Sequence, residues 1–326
     1  MKQNDFFEKV RISIEEYMGD RAKVTLNEII KNNAVKLNGL SILEDGRNIS
    51  PTIYLNSFYE RYSDGEKMED IIVEVLELYQ KSKPDSNMNI DFFTDYEAVQ
   101  EIVLCKLISF DKNIELLQEI PYIRFLDLAI VFYCFLVNER IGSATIMVYN
   151  RHLKMWGTTT AALYKKAIEN TRRLLGYQIT GIEDVMREML IENLRGKLTE
   201  TDDSDREENM SEDKINEFAD TMLDSMKQEG GRMPMYVLSN QDKINGAACI
   251  LYPDLLLEFA EGLGRDLYII PSSIHEVILV PALEEQEHES LSKMVREVNS
   301  TQVEEEEVLA DHVYFFSREV REVCLL

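Results

Sequence analysis

The twelve residues 126–137, LDLAIVFYCFLV, form the longest hydrophobic stretch of the chain. With Asp127 among them they fall far short of the roughly 20 apolar residues that cross a bilayer as a helix. The run is dense in β-branched and aromatic residues, which suit a pleated strand. ATIMVYN at 144–150 has the same character after the loop NERIGS, so the two are expected to pair as antiparallel neighbours.

The flanking segments supply helices and a hairpin. Phe6, Phe7, Val10, Ile14 and Tyr17 recur at helical spacing and predict a helix from residue 3 to about 18. Apolar residues at 24, 26, 29 and 30, then at 35, 37, 40 and 42, enclose KNNA and predict a β-hairpin. Ile71, Ile72, Val75, Leu76 and Tyr79 give a second amphipathic helix over 66–81, followed by the polar connector 82–89. WGTTTAALYKKAIENTRRLL opens with Gly and Thr and predicts a helix after the strand pair.

Residues 199–214, TETDDSDREENMSEDK, contain one Met and no other hydrophobic residue. Such a segment buries too little surface to offset the entropy of ordering, and it is expected to be a flexible linker. It separates an N-terminal α+β region, 1–198, from a C-terminal α+β domain, 215–326. Ile215, Phe218, Met222 and Met226 predict a helix at the start of the second half. Strands at 235–239, 267–270, 276–280 and 312–316 alternate there with helices at 254–262 and 288–298. The expected class is therefore α+β, with mainly antiparallel sheets and packed helices.

Thirty-five Lys and Arg against 60 Asp and Glu give a formal charge of −25. That field repels phosphate backbones, and the basic stretches TRRLLGYQ (171–178) and REVREVC (318–324) are short and acid-flanked. Direct nucleic-acid binding is not expected; the charge fits solubility, or a partner with a basic surface. Cys105, Cys134, Cys249 and Cys324 lie too far apart for a CxxC metal pair. The first twenty residues lack a secretory signal's apolar core, so the expectation is a cytoplasmic protein that does not enter membranes.

The densest grouping of chemically capable residues is IIPSSIHEVILVP, 269–281. Ser273 and His275 could share one face of a strand, with Glu276 pointing away, and Ser272 stands beside them. Serine chemistry needs a base, an orienting acid and an oxyanion site, and no G-x-S-x-G elbow occurs. The competing reading is a Pro-Ser-Ser turn between two strands. His152, His288 and His312 form no helical metal pair, and the stretch from Asp202 fails the EF-hand pattern at Arg206 and at the missing glycine. VEEEEVLADH (303–312) reads as a solvated helix or loop. KNNAVKLNGL and NQDKINGAACILYP lack the GKS or GKT of a phosphate loop. Trp156, the single tryptophan, is expected to anchor a helix to the preceding strands, or else to stack on a ligand.

Three long stretches carry a resemblance: NAVKLNGLSILEDGRNISPTIYLNSFYERYSDG; RFLDLAIVFYCFLV with HLKMWGTTTAALYKKAIENT; and INGAACILYPDLLLEFAEGLGRDLYIIPSSIHEVILVP. Together they are similar to a family of bacterial proteins classified only as a domain of unknown function. The resemblance implies no activity, cofactor or catalytic residue. The last stretch also resembles, in layout alone, another uncharacterised bacterial group with a helix, a strand, a proline turn and a strand. The sequence thus leads to a protein that binds a protein partner or a small ligand, without covalent catalysis or a cofactor. Two alternatives stand: a hydrolase using Ser273 and His275 with a carboxylate from elsewhere in the chain, Glu276 being a weaker candidate residue, and an acidic mimic of nucleic acid.

Overall fold

The computed structural model describes residues 1–83, 91–138, 142–200, 215–216, 218, 220–223, 234–283 and 288–326. The chain forms two compact units, one of residues 1–104, 110–123 and 131–167, the other of 105–109, 124–130 and 168–326. Residues 168–198, expected with the N-terminal half, thus group with the C-terminal one. Of the expected linker, 199 and 200 close a helix and 201–214 lie outside the described residues. The connector 82–89 is described only at 82 and 83.

In the first unit, the predicted helix is α1 (Gln3–Met18) and the predicted hairpin is β1 (Ala22–Ile30) with β2 (Lys36–Glu44). The pairs Val24↔Ile42 and Leu26↔Leu40 put the alternating apolar residues on one face. β3 (Thr52–Tyr54) adds to β2 at Leu40↔Ile53. α2 (Asn56–Ser63) and α3 (Met68–Ser82) follow. Phe6, Phe7, Val10 and Ile14 of α1 share a core with Leu40, Ile42, Ile71 and Val75. Each such burial is worth roughly 1.5–3 kcal/mol. Tyr17, expected on the apolar face, is 61% exposed, and Met18 is buried in its place.

A four-stranded sheet contributes residues to both units: β4 (Val103–Ser109), β5 (Tyr122–Phe125), β6 (Leu128–Asn138) and β7 (Gly142–Met147). β6 and β7 are the predicted antiparallel pair, with register from Tyr133↔Met147 to Asn138↔Gly142. The Phe135 amide donates to Ile102 O, whereas Val148 donates to Phe132 O. Alternate residues of a strand bond to opposite neighbours, so β7 lies on the edge of β6 away from β4. The first unit also holds the short helices α4 (Tyr96–Val99), α5 (Ile114–Glu119) and α6 (Asn150–Trp156). α7 (Thr160–Leu175) is the helix expected after the strand pair, but Trp156 ends α6 rather than opening α7. Gly157, at φ 63°, supplies the left-handed stop between them.

The second unit is built on a six-stranded antiparallel sheet of β8 (Gln178–Gly181), β9 (Tyr236–Ser239), β10 (Leu267–Pro271), β11 (Val277–Pro281), β12 (Tyr314–Ser317) and β13 (Glu322–Leu325). Its order is β13-β12-β10-β11-β9-β8, which leaves the two strands without a sequence signal at the edges. All five residues of β10 are buried. α8 (Ile182–Glu200), α9 (Leu255–Leu263) and α10 (His288–Thr301) complete the unit, and Leu291 and Val295 of α10 pack on Tyr268, Ile270 and Val280. The α+β class with antiparallel sheets is the observed one. Among the described residues, no helix is long and apolar enough to cross a membrane.

Candidate functional site

The Pro-Ser-Ser stretch is a turn. β10 and β11 pair as far as Pro271↔Val277, and residues 272–276 connect them. Ser273 and His275 therefore lie off both strands and share no strand face. Ser273 Oγ accepts a hydrogen bond from the backbone amide of His275 at 3.0 Å, and the Ser273 amide donates to Glu276 O at 3.2 Å. His275 Nδ1 accepts the Asn245 amide at 3.1 Å, which leaves Nε2 to carry the ring proton, 3.4 Å from Glu307 Oε1. Ser272 Oγ reaches Glu276 Oε1 at 3.4 Å. Each group is thus engaged in closing the turn, and the imidazole is joined to Asn245 and Glu307 instead of to a serine hydroxyl. A cavity of about 120 Å³ borders Ser239 and Glu276, well below the roughly 300–1,000 Å³ of small-molecule sites.

His312 lies in a second cluster. Asp127, in the two-residue turn between β5 and β6, accepts the Tyr314 hydroxyl at 2.9 Å. His312 Nε2 stands 3.4 Å from its other carboxylate oxygen, an ion-pair approach without hydrogen-bond alignment. Burial works to raise the Asp127 pKa, but His312 and Tyr314 outweigh it and hold the carboxylate below its ordinary range. Asp127 in turn raises His312 against the opposing effect of burial. Tyr314 is 1% exposed, so this set fastens the β5–β6 turn to β12. Among the described residues no three His, Cys, Asp or Glu side chains gather as metal ligands.

An open groove of about 820 Å³ lies within the first unit and falls inside the small-molecule range. One wall is edge strand β7, through Thr145, Ile146 and Met147. Another wall is α6, through Arg151, His152 and Met155, with Phe93 and Thr94 of a short 3-10 turn (Asp91–Thr94), the Phe93 ring lying 5.0 Å from His152. Trp156 fixes this wall: its Nε1 donates to Phe93 O at 2.7 Å, and its ring lies 5.3 Å from Phe93 and 5.6 Å from His152. Trp156 thus anchors α6 to the 3-10 turn, whose Phe93 carbonyl gives the indole N–H its partner. His152 Nδ1 accepts the Tyr149 amide at 3.1 Å, which sets the first turn of α6.

A family model described as "Family of unknown function (DUF5688)" matches residues 3–318. The chain belongs to this family. No curated protein and no solved structure matches it. The DUF5688 match runs over nearly the whole chain, in keeping with the three resembling stretches.

The electrostatics of the groove in this DUF5688 chain are local and run against its overall sign. Tyr149 and Arg151 of the groove also line a polar recess of about 370 Å³ together with Lys154, Asn150, Gln118 and Glu119. The Arg151 guanidinium lies 4.7 Å from the Tyr149 ring centroid, a stacking distance. Burial, with Arg151 nearby, depresses the His152 pKa and favours the neutral ring. An apolar aromatic trough ending in cationic side chains can hold and orient a small molecule. Sequence reasoning passed over it, although Tyr149, His152 and Trp156 stand three and four residues apart, the spacing of one helical stripe.

Proposed function

We propose that this DUF5688 protein acts by binding a small molecule in the groove between β7 and α6, without covalent chemistry. The observation that carries the reading is the groove itself: about 820 Å³ walled by Phe93, Ile146, Met147, Tyr149, His152 and Met155, a concave, mainly apolar surface with few polar groups, as ligand sites are. The engagement of Ser273 and His275 in their own turn weighs against the hydrolase alternative. A reducing, cytoplasmic setting suits the four cysteines, all free, of which burial pushes Cys105 up to about 11 and Cys134 and Cys249 up to about 12.

Trp156 is the only tryptophan and packs on the Phe93 and His152 of the wall, so it reports on the groove directly. Excitation of Trp156 should sensitise the emission of N-phenyl-1-naphthylamine, a neutral apolar probe, with saturable one-site behaviour. Met155 is 47% exposed, so Met155→Arg can fold while placing a charged chain across the wall. That variant should weaken the probe about tenfold or more, the equivalent of roughly 1.4 kcal/mol. Absence of sensitised emission, or equal binding by the variant, contradicts the reading.

A further inference from the structure

We infer that the ligand of the groove is an apolar carboxylate, its hydrocarbon body lying against Phe93, Ile146 and Met155 and its anionic group meeting Arg151 and Lys154. This rests on the groove being the binding site.

The groove and the polar recess share Tyr149 and Arg151, so the guanidinium borders both the apolar and the polar space. Arg151 and Lys154 are three residues apart on α6 and project from one face. Neither has a carboxylate partner within ion-pair distance among the described residues. That is notable in a chain with 60 acidic against 35 basic residues, where Arg11, Arg61 and Arg187 are all paired. Glu119 is the acidic residue lining the recess, so the two cations leave a local excess of one positive charge.

The state of His152 adds to this. Its Nδ1 accepts the Tyr149 amide, so in the neutral ring Nε2 carries the proton. The Arg151 contact with His152 Nε2, at 3.4 Å, is made by Nε and involves neither terminal nitrogen of the guanidinium. Stacking on Tyr149 holds the guanidinium plane while leaving its edge donors for a planar anion, and a carboxylate is the group that meets such a fork in two parallel hydrogen bonds.

Isothermal titration of the full chain with two acids and their neutral counterparts tests this: naphthalene-2-carboxylate against naphthalene-2-carboxamide, and decanoate against 1-decanol. The aromatic and aliphatic arms distinguish a ring-bearing from a chain-bearing ligand. At least one acid is expected to bind about tenfold or more tightly than its neutral partner, in keeping with a charge-assisted pair. Arg151→Ala should remove that preference, bringing the acid to the affinity of its neutral partner, and Arg151→Lys should restore only part of it. If both neutral compounds bind as well as the acids, or if Arg151→Ala keeps the preference, the inference is overturned while the groove stands. If N-phenyl-1-naphthylamine also fails with the wild type, the groove reading itself falls.

Discussion

Gly246 follows Asn245, whose amide meets the imidazole of His275. A Cβ built on Gly246 would approach His275 O at 2.5 Å and the Asn240 amide nitrogen at 2.7 Å, and would collide with Ser239 Oγ. Two of those atoms are backbone, and Ser239 Oγ is itself committed to His275 O at 2.8 Å, so none can yield cheaply. Gly246→Ala should therefore destabilise the protein by about 2 kcal/mol or more, in the upper part of the range for overpacking. Urea unfolding measures this, and an unchanged midpoint would refute the close packing of the 245–246 segment against the turn. The same contacts explain why SSIHE resembles a catalytic group in sequence. Its polar side chains are those a five-residue turn needs to satisfy its own amides and those of its neighbours.

At the scale of elements, the turn between β5 and β6 is fastened to β12 through Asp127, His312 and Tyr314. Asp127 has its folded pKa below the ordinary value of about 3.9, so its stabilisation is present above that and is lost as pH falls through the folded value. His312 has its folded pKa above about 6.5, so its stabilisation is complete below that and is lost as pH rises through the folded value. The pair is thus strongest from about pH 4 to 6.5. The difference in unfolding midpoint between wild type and Asp127→Asn should be larger at about pH 5.5 than at about 8.5. The remainder at the higher pH is the Tyr314 hydrogen bond, worth roughly 1.5–3 kcal/mol to a charged acceptor. Equal differences at both pH values would mean that His312 does not share the charge of Asp127.

Over the whole molecule, the parts legible in the sequence are those whose apolar residues repeat with a single period. The hairpin of β1 and β2 is visible because residues 24 and 26 face 42 and 40, and α3 because Ile71, Val75 and Tyr79 line one side. β8 and β13 are not, since each has four residues and lies at a sheet edge with little buried surface to impose a pattern. The groove was hidden for another reason. Phe93 comes from a turn about fifty residues before β7 and α6, and no spacing rule links them. Its α6 stripe was present in HLKMW, but the expected helix began too late and assigned Trp156 to the wrong element.

The central claim is that this groove is the binding site, and methionine-methyl NMR tests it most directly. Met147 and Met155 line the groove, whereas Met189, Met222 and Met294 are exposed elsewhere. Adding N-phenyl-1-naphthylamine to the wild-type protein should shift the Met147 and Met155 methyl signals in parallel, with a single saturation curve, and leave the other methionines in place. Shifts confined to the other methionines, or none at all, would contradict the account.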